Sequence, residues 1–176
     1  MIDTYQIGDV RITRIQEYSG PTHDPKFLFP EMPQEMLEAH KDWMAPRHWV
    51  PAMNKLILTV QLWVVHAGDR IVVVDTGVGN FKPRDGMARM NRLNTLVLEW
   101  LEAAGAPADK VTDVAITHLH MDHVGWNTRW LDNRWTPTFP NARYHFPEDD
   151  FLFCQAGKNK EQPLDVFSTA FDDSMQ

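Results

Sequence analysis

A single cysteine, Cys154, in 176 residues excludes an internal disulfide and fits a chain held in a reducing compartment. Basic residues are few: 17 Lys and Arg against 24 Asp and Glu leave a formal net charge of -7. That balance argues against a nucleic-acid partner, because gripping phosphates needs a concentrated basic face. No uncharged apolar run approaches membrane-spanning length, so no membrane partner is expected. The opening Met1-Ile2-Asp3-Thr4-Tyr5-Gln6 has neither a basic n-region nor an apolar stretch, so no secretory signal is expected and the expected location is cytoplasmic. A Gly-x-Ser-x-Gly elbow is missing, which leaves a serine triad without support. Repeats and low-complexity segments are absent as well.

What is present suffices for one ordinary domain over residues 1–176. A hydrophobic fraction of 43%, with 7 tryptophans, can furnish a core, and nothing in the composition points to disorder. Val10-Arg11-Ile12-Thr13-Arg14-Ile15 alternates as a half-buried strand does. Leu56 to His66 and Arg70 to Asp75 read as two strands around a Gly68-Asp69 hairpin turn. Before them, residues 20–51 form a long proline- and aromatic-rich loop with one short helical stretch, Gln34 to Lys41. Leu93, Val97, Trp100, Leu101 and Ala104 lie on one helical stripe, so Asn94 to Ala104 is the clearest helix, ended by Gly105 and Pro107. Asp113 to Thr117 is a short buried strand, and Trp126 to Pro140 has the composition of a loop. Ala142 to Phe146 is strand-like, Pro147 to Asp150 opens a helix with acids in its first turn, and Asp165 begins another. Strand, helix, strand and loop in this order predict a layered α/β fold.

The chemistry concentrates in residues 117–127. His118-Leu119-His120-Met121-Asp122-His123 sets three imidazoles and one carboxylate in six positions, directly after a strand. Alternation along an extended segment points His118 and His120 the same way, toward one metal ion. A turn at Met121-Asp122 then redirects Asp122 and His123, which could serve a second ion nearby. Neutral imidazoles with one carboxylate suit zinc, and less exclusively iron, manganese or cobalt. A lone histidine is most often structural, but three with an aspartate among them are hard to explain as packing.

This segment, Thr117-His118-Leu119-His120-Met121-Asp122-His123-Val124-Gly125, resembles the His-x-His-x-Asp-His signature of the metallo-β-lactamase fold hydrolases. A second matching element is Ile71-Val72-Val73-Val74-Asp75-Thr76-Gly77, a buried strand running into an Asp-Thr-Gly turn. The run from Asp75 through Gly79-Asn80 to Gly125-Trp126-Asn127 is similar to the branch near quorum-quenching lactonases and broad-range esterases. The resemblance implies a four-layer αββα sandwich of two similar halves, of which this chain matches the first. The family's third metal-1 histidine, bridging aspartate and last metal-2 histidine fall later in the fold. His145, the one histidine after the motif, sits too early for these roles.

The resemblance further implies two zinc ions ligated by His118, His120, Asp122 and His123, with Asp75 supporting the ligand loop from behind. Such a pair makes hydroxide available near neutral pH and polarises a carbonyl, so the expected reaction is hydrolysis of a small lactone or ester, with Asp122 orienting the nucleophile. Thioester hydrolysis, or iron-dependent chemistry on the same motif, is an alternative. A half-domain that keeps the metal loop without turnover is another. Asp75 also has a plainer reading, as a cap on the turn before Gly77. His23, His40, His48, His66 and His145 read as structural or exposed, and Cys154 as a buried thiol. Phe27-Leu28-Phe29-Pro30 and Trp43-Met44 suit a lid over an acyl chain, or equally core packing or the subunit interface of a homodimer. Trp126 reads as packing, or as pocket lining.

Overall fold

Hydrophobic alternation organises the first strands of the computed structural model, which describes residues 2–157 and 166–175. β1 (Ile2–Ile7) turns at Gly8 into β2 (Val10–His23), paired antiparallel in the register Ile7↔Val10. Thr13, Ile15 and Glu17 of β2 all face inward, as a period of two requires. The strand therefore runs well beyond the expected Val10–Ile15. Three short helices follow, α1 (Pro25–Leu28), α2 (Gln34–Ala39) and α3 (Lys41–Met44), and then β3 (Trp49–Val50). β4 (Lys55–Ala67) and β5 (Arg70–Val74) form the expected hairpin, with Ala67 opposite Arg70 and Gly68 at φ +60° in the two-residue turn.

The helix expected over Asn94–Ala104 is the shorter α4 (Val97–Ala103), which buries Val97 and Leu101. Burial of one such leucine stabilises a fold by roughly 1.5–3 kcal/mol. β6 (Asp113–Ala115) lies between β5 and β9 (Arg143–His145) and is parallel to both. Between β6 and β9 come α5 (Met121–Val124), one 3₁₀ turn, and the hairpin β7 (Thr128–Leu131) with β8 (Arg134–Pro137). This hairpin replaces the loop expected from Trp126 to Pro140. Its turn residues Asp132 and Asn133 both have positive φ, a conformation that Asp and Asn tolerate, and Trp130 pairs across it with Trp135. α6 (Glu148–Gly157) and α7 (Val166–Ser174) are the two expected last helices; Asp165 itself lies outside the described residues.

The sheet order is β1-β2-β4-β5-β6-β9, with β3 also on β4. The chain divides into two compact units, Met1–Glu17 with Val60–Gln176, and Tyr18–Thr59. In the first, Ile15, Leu62, Val64, Val73, Val114 and Leu101 are buried. The second has its own small core of Leu37, Trp49 and Leu56, on which Leu28, Met32 and Met44 pack. Its Phe27, Phe29 and Trp43 are exposed, so the apolar residues expected in a lid divide between a local core and the surface. Cys154 is half-buried rather than buried: on α6, the neighbouring Leu152 and Phe153 face solvent.

Candidate metal centre

Parallel pairing of β5 with β6, Val74 opposite Ala115, brings the C-terminal ends of the two strands out side by side. The loops that leave them interlock through their backbones. Asp75 donates its amide to Ala115 O (3.0 Å) and Thr76 to His123 O (2.7 Å); Gly125 donates to Gly77 O (2.7 Å) and Trp126 to Thr76 O (2.8 Å). The Thr76 hydroxyl donates to His123 O and Asn127 Oδ1. Approach is so close that a Cβ on Gly125 would lie 1.9 Å from the carbonyl carbon of Val78. Glycine at 125 is thus a requirement of contact, not of turn geometry.

The histidines lie beyond the strand itself, although His120 keeps an extended backbone (φ -72°, ψ 153°). β6 ends at Ala115, His118 and His120 lie in the following loop, and Asp122 and His123 occupy α5. His118 Nε2 nevertheless stands 3.1 Å from His120 Nδ1. Asp122 Oδ2 lies 3.6 Å from His123 Nε2. Donors about 2.1 Å from a tetrahedral ion lie about 3.4 Å from one another, so each pair spans about one tetrahedral edge. The rings of His118 and His123 are 3.9 Å apart between centroids, which puts the two pairs side by side. Donor chemistry and spacing thus fit zinc, with two donors per ion. Among the described residues no group of three or more His, Cys, Asp or Glu side chains is arranged to hold a single ion. Burial pushes the His118 pKa down, with His123 and His120 adding to the effect, which favours the neutral form a metal needs.

Asp75 anchors the arrangement. Its φ of +52° ends β5 in a left-handed turn, and its buried carboxylate accepts from His123 Nδ1 (2.8 Å), from the Thr117 amide (2.8 Å) and from the Thr117 hydroxyl. Burial raises the carboxyl pKa, but the hydrogen bonds from His123 and Thr117 outweigh it and hold the group below its usual range. Since an ionised carboxylate can only accept, His123 carries its proton on Nδ1 and offers Nε2 toward Asp122. Burial likewise lowers the His123 pKa, and Asp75 with Asp122 raises it by more. The turn-cap reading of Asp75 and the loop-support reading are thus one geometry.

Two residues not singled out in the sequence also hold these loops. Glu17 of β2 accepts from the amides of Val78 (2.6 Å) and Gly79 (3.2 Å) and from Trp126 Nε1 (2.7 Å). Extending the Thr13, Ile15 alternation by one more step would have shown Glu17 facing inward. Asp150 of α6 accepts from the amide of Leu119, between the first two histidines, at 3.0 Å. No sequence signal separates it from an ordinary first-turn acid. Trp126 is buried, as packing requires, and also donates its one hydrogen bond. His145 binds Asp113 (3.0 Å) and His66 lies 3.1 Å from Gly105 O, both framework contacts.

Two strand ends thus present a His-x-His-x-Asp-His loop over a buried aspartate. Residues 58–174 match the family model of the Metallo-beta-lactamase superfamily, and the chain belongs to that superfamily. No curated protein matches the sequence. Among solved structures it is similar to the hydrolase AbOPH (23% identity, TM-score 0.70, 98% of this chain and 56% of that one). It is similar also to the dizinc quorum-quenching lactonase AidC, solved with the product N-hexanoyl-L-homoserine (18%, 0.67, 87% and 47%). A third is a probable metal-dependent hydrolase from Staphylococcus aureus (19%, 0.72, 97% and 56%). At these identities the likeness establishes the fold, the expected layered α/β arrangement. The chain spans about half the length of these structures. Among the described residues, no helix is long and apolar enough to cross a membrane.

Proposed function

We propose that this chain carries the metal loop of a zinc-dependent hydrolase acting on a small ester or lactone. The observation that carries the reading is the pairing of donors, His118 with His120 and Asp122 with His123, each spaced for one ion. Zinc bound there would supply Lewis acidity toward a carbonyl and lower the pKa of a water toward neutrality. His118 and His120 would hold the first ion as neutral imidazoles. His123 Nε2 and the Asp122 carboxylate would hold the second, and Asp122 would also accept a hydrogen bond that orients a water. Asp75 keeps the His123 proton on Nδ1. The lactone or ester class is favoured by the match to AidC and by the run from Asp75 to Asn127; iron-dependent and thioester chemistry are the alternatives on the same loop.

Elemental analysis of protein purified without chelator tests the reading. About two zinc per chain, falling by at least one in a His118→Ala, His120→Ala double variant that also loses hydrolysis of an acyl-homoserine lactone, is the expected result. Zinc content unchanged by that double variant overturns it, and bound iron moves it to the alternatives. A half-domain that binds metal without turnover is the second reading, favoured by the two-donor sets of the described residues. Zinc bound by the loop with no hydrolysis of lactone, ester or thioester would select it.

A further inference from the structure

Glu17 is a buried carboxylate whose hydrogen-bond partners are uncharged: Val78 N on one oxygen, Gly79 N and Trp126 Nε1 on the other, with the Thr95 side chain as a further partner. Burial raises its pKa, and the bonds from Val78, Trp126, Gly79 and Thr95, in that order, lower it. A buried carboxyl without a cationic partner is costly, and an apolar residue in its place would strand three buried donors. The carboxylate is also tightly enclosed. A Cβ on Gly77 would come within 2.1 Å of Glu17 Oε2, and one on Gly79 within 2.7 Å of Gly125 O. Residues 77–79 are therefore clasped between Glu17 on one side and the Gly125 backbone on the other. Immediately before this clasped segment, Thr76 bonds His123 O and Asp75 bonds His123 Nδ1. Immediately after the ligands, Trp126 returns to the same carboxylate.

We propose that Glu17 is a positioning residue of the metal centre: by tying Val78, Gly79 and Trp126 to one carboxylate, it fixes the spacing of the two loops and so the place of His123 and Asp122. The inference rests on the metal reading above. It assigns to a residue about a hundred positions before the motif a role in metal affinity, beyond filling the core.

Cobalt(II) binding by the full chain tests it, with affinity and visible absorption recorded alongside the thermal midpoint. The variants are Glu17→Gln, Trp126→Phe, the core control Val64→Ala, and His118→Ala. The expected result is a loss of cobalt affinity of about 10–100-fold in Glu17→Gln and Trp126→Phe, with altered absorption bands, as for partners that orient metal ligands. Val64→Ala should lower the midpoint and leave affinity unchanged. Wild-type affinity and bands in Trp126→Phe and Glu17→Gln overturn the inference, as does an equal loss in Val64→Ala. If Glu17→Gln does not fold, Trp126→Phe decides alone, since it removes one hydrogen bond and keeps an aromatic ring. A wild-type chain that binds no cobalt, or binds it equally well as His118→Ala, overturns the metal reading and this inference with it.

Discussion

Asp75 Oδ2 accepts the Nδ1 proton of His123 at 2.8 Å, so one carboxylate at the end of β5 sets the tautomer of an imidazole in the next loop. Without it the ring is free to rotate or to carry its proton on the nitrogen that faces Asp122. Asp75→Ala should therefore weaken zinc binding by about 10–100-fold. A chelator competition titration checks this, and affinity equal to wild type would reduce Asp75 to a turn residue.

Gly125 faces Val78 with no room for a methyl group. Its Cβ would overlap backbone, which cannot swing aside as a side chain can. Gly125→Ala should cost about 1–3 kcal/mol or more, measurable by denaturant unfolding, and should reduce zinc content in the same sample. Gly8→Ala is the converse case, strained at φ +58° with nothing within 4 Å of the added Cβ, and should lower stability without changing zinc content.

Lys82 is fully buried, with Nζ bonded to Asp173, Ser174 and Thr128 and 4.3 Å from the Trp135 ring centroid. Burial drives its pKa down from 10.5 to about 8, against the pull of Asp173. Between those values the folded chain has released a proton that the unfolded chain keeps, so stability rises with pH across this window. The rise attributable to Lys82 is on the order of 3 kcal/mol. Denaturation midpoints from pH 7 to 10.5 should climb in the wild type and stay flatter in Lys82→Met, where Arg84 still pairs with Asp173.

Asp113 joins three strands: Arg70 on β5 donates to it from Nε at 2.8 Å and His145 on β9 from Nε2 at 3.0 Å. Arg70, His145 and Thr112 hold its carboxyl well below the usual range. A depressed carboxyl stabilises the fold above its unfolded pKa of about 4 and loses that contribution as pH falls through the folded value. Asp113→Asn should lower the unfolding midpoint at pH 7 and flatten the acid limb below about pH 4. His145→Ala should share part of that loss while leaving zinc content unchanged; reduced zinc would make His145 part of the site.

Local pattern carried much of the fold. The β4–β5 hairpin was legible because Gly68-Asp69 breaks two apolar, β-branched runs, and α4 because five apolar residues share one stripe. The β7–β8 hairpin was not, since tryptophans and prolines mask its alternation and only Asp132-Asn133 marks the turn. Of the three short helices between Asp24 and Ala45, α2 falls on the expected stretch Gln34 to Lys41, while α1 and α3 were hidden, because pieces of four residues show little more than one helical turn.

By itself, the sequence determined the cluster: three histidines and one aspartate in six residues, directly after a strand. That information is local, because spacing of a few residues bounds the distance between donors whatever the fold. Asp75 was already placed behind the donors by its Asp-Thr-Gly turn and the family resemblance; only the tertiary structure added Glu17 and Asp150. These two are remote from the motif or unremarkable in the chain, and they join it because parallel pairing sets β5 beside β6, while β2 turns Glu17 inward and α6 brings Asp150 to Leu119. The order of strands in a sheet follows from packing between distant segments, and no local pattern encodes it.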